Sequence, residues 1–597
     1  MKLSLLFATV AAAAPKACAD VYDYIVVGGG TAGTAVASRL SLGLPAAKIL
    51  LIEAGPDATG ELRIDVPGKR GTALNSEYDW NFTSIPQEAA GERAFAYARG
   101  RVLGGSSALN LMTYDRAAAA EYDAWEALGN EGWNWENMIA AMMKSETFTG
   151  KNTDTYGEAG VGDSGPVQAV INRYIPTHQD AYIPTMSGLG LRHNLESLGG
   201  DPLGVMLQPS SIDHVPWNRS TSASAYLPIA GANLRVMPDT VVRKINLEAK
   251  DGAHVATGVT LADGTVIRAN AEVILSAGAI QSPGLLENSG VGQKAVLEAA
   301  GVTPLVELQG VGENFQDHMR IMAIYELRDN YTSFDKLTID PEYAAEQLDL
   351  WKQNKLSAYD YTGSGYAFLT WPEVTTSEEE NAELTALAQE AAKADPHVVN
   401  EMKLKLLEDA SVPQMEMIFS DGYAGSSGYP KKDSPDFGKQ FFTLISALQH
   451  PMSRGTVHID PADPAGKPAI DPRFFSNEHD VRAMMAMLTY ARKAANSGSM
   501  ADLWVDEFEP GLEKTSEEEI RQFVLDTTLS IFHPMGTCAM LPKEDEGVVD
   551  SDLKVYGVSN LRVVDASIIP MLISAHIQTA VYGIAEIAAE KIIKAAA

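Results

Sequence analysis

The chain's first strong pattern is Tyr22-Asp23-Tyr24-Ile25-Val26-Val27, a short β-branched and aromatic run that predicts a strand. It runs into Gly28-Gly29-Gly30-Thr31-Ala32-Gly33, and residues 34–40 follow with helix-like spacing. A second apolar run, Lys48-Ile49-Leu50-Leu51-Ile52, predicts another strand and ends at Glu53, twenty residues beyond Gly33. Strand, glycine turn, helix, strand and acid at this spacing predict a dinucleotide site. Gly28 permits a tight turn, Gly30 lets the backbone approach a pyrophosphate, and Gly33 lets helix and strand pack closely. Thr31 and Ala32 open the helix, whose free N–H groups suit phosphate. Glu53, followed by Ala54, would accept hydrogen bonds from a ribose diol. This unit alone does not separate FAD from NAD.

Further along, residues 272–276 predict a strand ending at Ala277-Gly278, and residues 561–564 predict one closing on Asp565. An apolar loop over residues 568–573 leads to His576 and a predicted helix over residues 577–593. Residues 375–410, rich in Glu, Ala, Lys and Leu, predict a surface helix with solvated charges. Pro- and Gly-containing stretches near 201–204, 425–435 and 461–468 predict loops.

Composition and charge narrow the classes. With 45% hydrophobic and 21% charged residues, disorder, collagen and coiled coil are excluded. The net charge of −32 excludes a phosphate-backbone partner and disfavours an anionic membrane surface. The start, MKLSLLFATVAAAAPKACA, has Lys2, an apolar run and Ala17-Cys18-Ala19, the layout of a cleaved secretory signal over residues 1–19. The apolar run is too short to span a bilayer. Cleavage there leaves Cys538 as the single thiol, so no intrachain disulfide is expected. The sequons at Asn81, Asn218 and Asn330 would carry glycans on an exported chain. No metal site is predicted.

Longer segments carry a family resemblance. They are Tyr97-Ala98-Arg99-Gly100-Arg101-Val102-Leu103-Gly104-Gly105-Ser106-Ser107-Ala108-Leu109-Asn110, then Gly278-Ala279-Ile280-Gln281-Ser282-Pro283-Gly284, then Gly312-Glu313-Asn314-Phe315-Gln316-Asp317-His318. Phe532-His533-Pro534-Met535-Gly536-Thr537, Leu561-Arg562-Val563-Val564-Asp565-Ala566-Ser567 and His576-Ile577-Gln578 complete the series in order. The chain resembles the glucose–methanol–choline (GMC) oxidoreductases over nearly its whole length, and is similar to their secreted aryl-alcohol-oxidase-like members. The resemblance implies an α/β fold with an α+β substrate part: a Rossmann-like FAD-binding domain interleaved with a substrate domain on a mostly antiparallel sheet. Residues 20–320 would be mainly the FAD-binding domain, with substrate-domain segments inserted at about 150–235. Residues 321–525 would be mainly substrate-binding, and 526–597 would return to the FAD-binding domain.

The resemblance also implies site residues. Val102, Gly105 and Ser106 would approach the cofactor, and Asn110, Leu111, Met112 and Thr113 would lie beside the flavin ring. Val242 would contact adenine. Asp565 and Ala566 would meet the diphosphate and ribityl chain, and Ile577 and Gln578 the flavin edge. Some relatives carry a flavin-linked histidine near the Asn110 position; with Asn here, dissociable FAD is expected. His533 would be the general base as hydride leaves the carbinol carbon for flavin N5, and His576 would hydrogen-bond the developing alkoxide. Its place at a helix N-terminus predicts a lowered pKa and a neutral ring. His318, His450 and His458 are read as structural.

The implied reaction is oxidation of a primary alcohol, of aromatic or furan type, to the aldehyde, with oxygen, a quinone or another acceptor reoxidising the flavin. Ile531-Phe532-His533-Pro534 carries the aryl-alcohol likeness. Formate oxidases of the family place arginine where this chain has His576. A sugar oxidase or dehydrogenase, or a flavin-containing lyase or cyclase, are the alternatives. Residues 333–371, with Tyr359, Tyr361, Tyr366, Phe368 and Trp371, read either as a core layer or as a cleft wall.

Overall fold

The computed structural model describes residues 21–250 and 252–596; the predicted signal, residues 1–19, lies outside them. Two sheets organise a mixed α/β fold. In the first, strands Leu234–Met237, Ile49–Ile52, Val21–Val27, Val266–Leu275 and Leu561–Val563 run parallel in that spatial order. Ile49–Ile52 is buried at every position, and Val21–Val27 over its last four. Strands covered on both faces read as continuous apolar runs, not alternating ones. Helix Thr31–Gly43 packs against the C-terminal helix Gln578–Ala596 beside this sheet. The long strand Val266–Leu275 also pairs antiparallel with Ala253–Leu261, which pairs with Val242–Lys250.

The second sheet is antiparallel, in the order Trp504–Glu509, Met319–Leu327, Phe441–Leu448, Met415–Asp421, Gly365–Leu369 and Gly204–Leu207. Leu529–Ser530 adds to its Met319–Leu327 strand. Side chains alternate across a strand. Met319, Ile321, Ala323 and Tyr325 enter one core with helix Glu478–Ala495. Met322 and Ile324 enter another with Tyr366, Ile418 and Ile445. That second face is turned toward the first sheet's cavity.

In chain order the strands alternate between the sheets, so each is assembled from distant segments. Gly204–Leu207 joins the antiparallel sheet, whereas Leu234–Met237 belongs to the parallel one. The predicted surface helix over 375–410 is two helices, Glu378–Ala394 and Val398–Leu407. The break falls before Pro396, whose ring pushes Asp395 out of helical geometry. Its face is not wholly solvated either, since Ala388 and Ala392 pack against Met452.

One charge pair is fully buried. Arg116 Nη2 stands 2.8 Å from Glu146 Oε1, both side chains fully buried. Removing one member of such a pair strands the other's charge, at a cost of about 3–5 kcal/mol. Glu146→Gln is therefore expected to lower the urea unfolding midpoint by that energy divided by the slope, with the slope itself unchanged. A midpoint equal to the parent's would show the pair to be energetically idle.

Candidate active site

The C-terminal ends of the parallel strands converge on one cavity, which Val27-Gly28, Ile52-Glu53, Ser276-Ala277 and Asp565 all line. In open α/β sheets ligands bind at this edge. Gly28, Gly30, Thr31, Ala32, Glu53 and Ala54 line one end. Gly28 has φ +104°, and a Cβ there would sit 2.3 Å from the Ser276 carbonyl oxygen. Gly33 lies behind the wall, where a Cβ would fall 1.9 Å from the Gly28 carbonyl oxygen. Gly30 faces Gly105 so closely that a Cβ on Gly105 would lie 2.5 Å from the Gly30 Cα.

Glu53 Oε2 accepts from Gly29 N–H and Oε1 from Gly55 N–H, each at 2.8 Å. Burial raises its pKa to about 7, against the pull of those two N–H groups. Each carboxylate oxygen retains a further lone pair, so both remain able to accept from a diol.

Val242, Gly105 and Ser106 line the same cavity, but Val102 does not. Val102 is buried with Ile64, Ala73, Ala108 and Leu109, so it backs the loop and packs as core. Asn110, Leu111, Met112 and Thr113 line the middle. Asn110 Nδ2 donates to Gln578 Oε1 at 2.7 Å, and its Oδ1 accepts from Arg219 Nη1 at 2.7 Å and Met112 N–H at 3.1 Å. Thr113 Oγ1 and Tyr366 Oη stand 2.6 Å apart, joining the loop to the second sheet. Ala566, Ile577 and Gln578 also reach the cavity. The Asp565 carboxylate accepts from Gly278 N–H at 2.9 Å, Ser282 Oγ at 2.6 Å and Ser567 N–H at 2.8 Å, which pins its loop to the strand Val266–Leu275 edge.

The two histidines come together. His533 and His576 ring centroids are 4.8 Å apart with planes at 78°. Phe532, just before His533, has left-handed backbone at φ +66°. Its N–H donates to Ser530 Oγ and its carbonyl accepts from Arg99, contacts that hold the unusual geometry. The His533 N–H donates to Asp317 Oδ1 at 2.7 Å. Burial first, then the charge of His576 and, further on, those of Arg99 and Arg320, push the His533 pKa well below 6.5, so its ring is neutral.

His576 departs from expectation. Burial opposes its charge, but the carboxylates of Glu416 and Asp115 outweigh burial and raise its pKa to about 9. Asp115 Oδ2 stands 2.9 Å from His576 Nδ1 and Oδ1 accepts the His576 N–H at 2.9 Å; Glu416 Oε1 is 3.5 Å from Nδ1. Two carboxylates at contact exceed the helix-terminus effect, typically about 0.3–1 kcal/mol. Asp115, Glu416 and His576 also form a trio whose ligand atoms lie within 4.8 Å. Their hydrogen bonding reads as an ion-paired imidazolium.

His318 also corrects the sequence reading. Its Nδ1 lies 2.9 Å from His533 Nδ1. For His533 to present a bare Nε2 to the cavity, its proton must sit on Nδ1 and be donated to His318. His318 suits this role because burial, with the charges of His450 and His576, keeps it neutral. His450, by contrast, bonds Glu121 and Gln414, and His458 bridges Glu287 and Glu313, away from the cavity wall. Asp115 had one available signal, its place two residues after Thr113; Glu416 had none. Of the aromatic segment, Tyr366 is on the cavity wall and Phe334 joins it, while Phe368 and Trp371 are core.

Family models described as GMC oxidoreductase match residues 22–320 and 451–585. The chain belongs to the GMC oxidoreductases. GMC oxidoreductase family protein Mala s 12 from Malassezia sympodialis is 33% identical over 597 aligned residues, covering 96% of this chain and 92% of the relative. An FAD-dependent oxidoreductase from Chaetomium thermophilum superposes with a TM-score of 0.86 at 29% identity, covering 96% of this chain and 99% of that one. A fungal aryl-alcohol oxidase superposes with a TM-score of 0.83 at 28% identity, with the same coverage.

This GMC oxidoreductase is an FAD-dependent oxidoreductase acting on CH–OH groups. Its own residues fit the cofactor. Helix Thr31–Gly43 starts at Gly30 without a side-chain cap, leaving N–H groups for a diphosphate. The Gly30–Gly105 contact leaves backbone, not side chains, at that wall.

Proposed function

We propose that this GMC oxidoreductase oxidises primary alcohols of aromatic or furan type to aldehydes, with oxygen, a quinone or another acceptor taking the electrons onward. The observation that carries the reading is a histidine pair in opposite charge states, one neutral and one cationic, within 4.8 Å on the cavity wall. FAD, held by the Gly28–Gly30 turn, Glu53 and the Asp565 loop, would supply the two-electron redox chemistry. His533 accepts the hydroxyl proton at Nε2, with its Nδ1 proton held by His318. His576, its Nδ1 proton on Asp115, directs Nε2–H at the oxygen as negative charge develops. Ile418, Ile445, Phe334 and Tyr366 offer an apolar and aromatic wall to a flat substrate.

The parallel-sheet part is the FAD-binding unit in this reading, and the antiparallel sheet the substrate unit. In this reading the cofactor is dissociable, because the residue beside the flavin position on the cavity wall is Asn110 and not histidine. Export by way of residues 1–19, with glycans at the sequons, is part of the same proposal; among the described residues no helix is long and apolar enough to cross a membrane. An anaerobic screen of primary alcohols against sugars tests the reading. Aromatic and furan alcohols are expected to bleach the flavin fastest. Bleaching by pyranoses alone, or no bleaching with turnover, would replace it with a sugar oxidoreductase or a lyase.

A further inference from the structure

Arg320 has no use in the chemistry above. It follows Met319 on the strand Met319–Leu327, and because Met319 and Ile321 point into the far core, Arg320 shares the cavity face with Met322 and Ile324. It lines the cavity together with Ile445, Ile531 and His533. Its Nε is buried without a hydrogen-bond partner. Among the described residues its side chain makes no ion pair and no hydrogen bond. Asp317, the carboxylate whose charge acts on Arg320, gives its hydrogen bonds to Ser530 Oγ and the His533 N–H.

The other guanidinium groups on this wall are engaged. Arg99 donates to the Ala98 and Phe532 carbonyls. Arg70 donates to the Thr362 carbonyl and lies over the Phe334 and Tyr361 rings. A guanidinium carries five donors and stays charged in proteins. Burial lowers the Arg320 pKa only to about 10. A half-buried cation with a buried donor left unsatisfied is costly to keep. Here it is also awkward for catalysis, since its charge is one of those depressing the basicity of His533. An anion placed against Arg320 would satisfy its donors and ease proton transfer to His533.

We propose that Arg320 binds a carboxylate on the substrate, so that the preferred alcohols are aryl or furan alcohols that also carry a carboxylate. This rests on the alcohol-oxidation reading and names its substrate class. The planar fork of a guanidinium matches a carboxylate in two parallel bonds. One unengaged cation beside Ile445 and Ile531 suits a monoanion better than a phosphate dianion.

The test separates binding from turnover in the FAD-loaded enzyme. Benzoate and benzamide, neither oxidisable, are titrated while the flavin spectrum is followed; 4-(hydroxymethyl)benzoate and 4-(hydroxymethyl)benzamide are then compared as reductants without oxygen. In the parent, benzoate is expected to bind about 10- to 100-fold tighter than benzamide, the worth of a hydrogen bond to a charged group. The anionic alcohol should reduce the flavin with a matching advantage. Arg320→Gln should erase both preferences with FAD content unchanged, and Arg320→Lys should retain part of each. Equal binding of benzoate and benzamide by the parent would overturn the proposal, as would a preference surviving in Arg320→Gln. Loss of FAD from Arg320→Gln would also overturn it, giving the residue to the cofactor instead. Preferential benzoate binding with no bleaching by any alcohol would sink the alcohol-oxidation reading and leave the anion site standing.

Discussion

His533→Ala is expected to slow flavin reduction by alcohol about 10²- to 10⁴-fold, the usual contribution of a positioned base. The residue is the neutral one of the pair, and its pKa lies well below 6.5, chiefly through burial. It is therefore ready to accept a proton throughout the neutral range. Its backbone N–H bond to Asp317 survives the substitution, so the loop geometry does too. FAD content should be unchanged, because His533 meets the substrate side of the cavity and the Gly28–Gly33 cradle lies at the other end. Stopped-flow bleaching without oxygen measures the step directly. A rate within tenfold of the parent, with FAD bound, would remove His533 from the base role and pass it to another group on the wall.

How far the sequence foretells this site depends on how local each feature is. The Gly28–Gly33 turn, its two flanking strands and Glu53 are legible because backbone conformation and close packing are decided within about thirty residues. His533 and His576 are legible through the segments around them, but their charge states are not. Those depend on Asp115 and Glu416, which arrive from a loop and from the strand Met415–Asp421, and on burial that only the assembled sheets create. His318 is hidden for the same reason. Its segment is recognisable, yet the contact with His533 spans 215 positions and exists because Met319–Leu327 pairs with Leu529–Ser530. Val102 shows the converse: it stands in a strongly patterned segment, yet its side chain packs as core, which the segment's pattern does not reveal.

The opposite charge states of the pair fix the shape of the pH profile. His533, with a depressed pKa, holds its base form down to below pH 6.5 and loses it only as pH falls further. His576, with its pKa raised to about 9, holds its cation at lower pH and loses it as pH rises through that value. The second-order rate of flavin reduction should thus be level from well below pH 6.5 up to about 9, falling above that value and, on the acid side, only well below 6.5. Asp115→Asn removes the carboxylate that touches His576 Nδ1 at 2.9 Å while keeping a side chain able to accept a hydrogen bond. The lost ion pair should bring the alkaline limb down by about 1–3 pH units, the shift that one adjacent charge commonly produces. At pH 8 the variant would then run about twofold slower for a shift of one unit, about tenfold for two and roughly a hundredfold for three, and it should recover toward the parental rate near pH 6. This recovery separates an electrostatic role from a structural one, since a misfolded site stays slow at every pH. An alkaline limb that does not move in Asp115→Asn would mean that the cation at position 576 is not what stabilises the developing alkoxide.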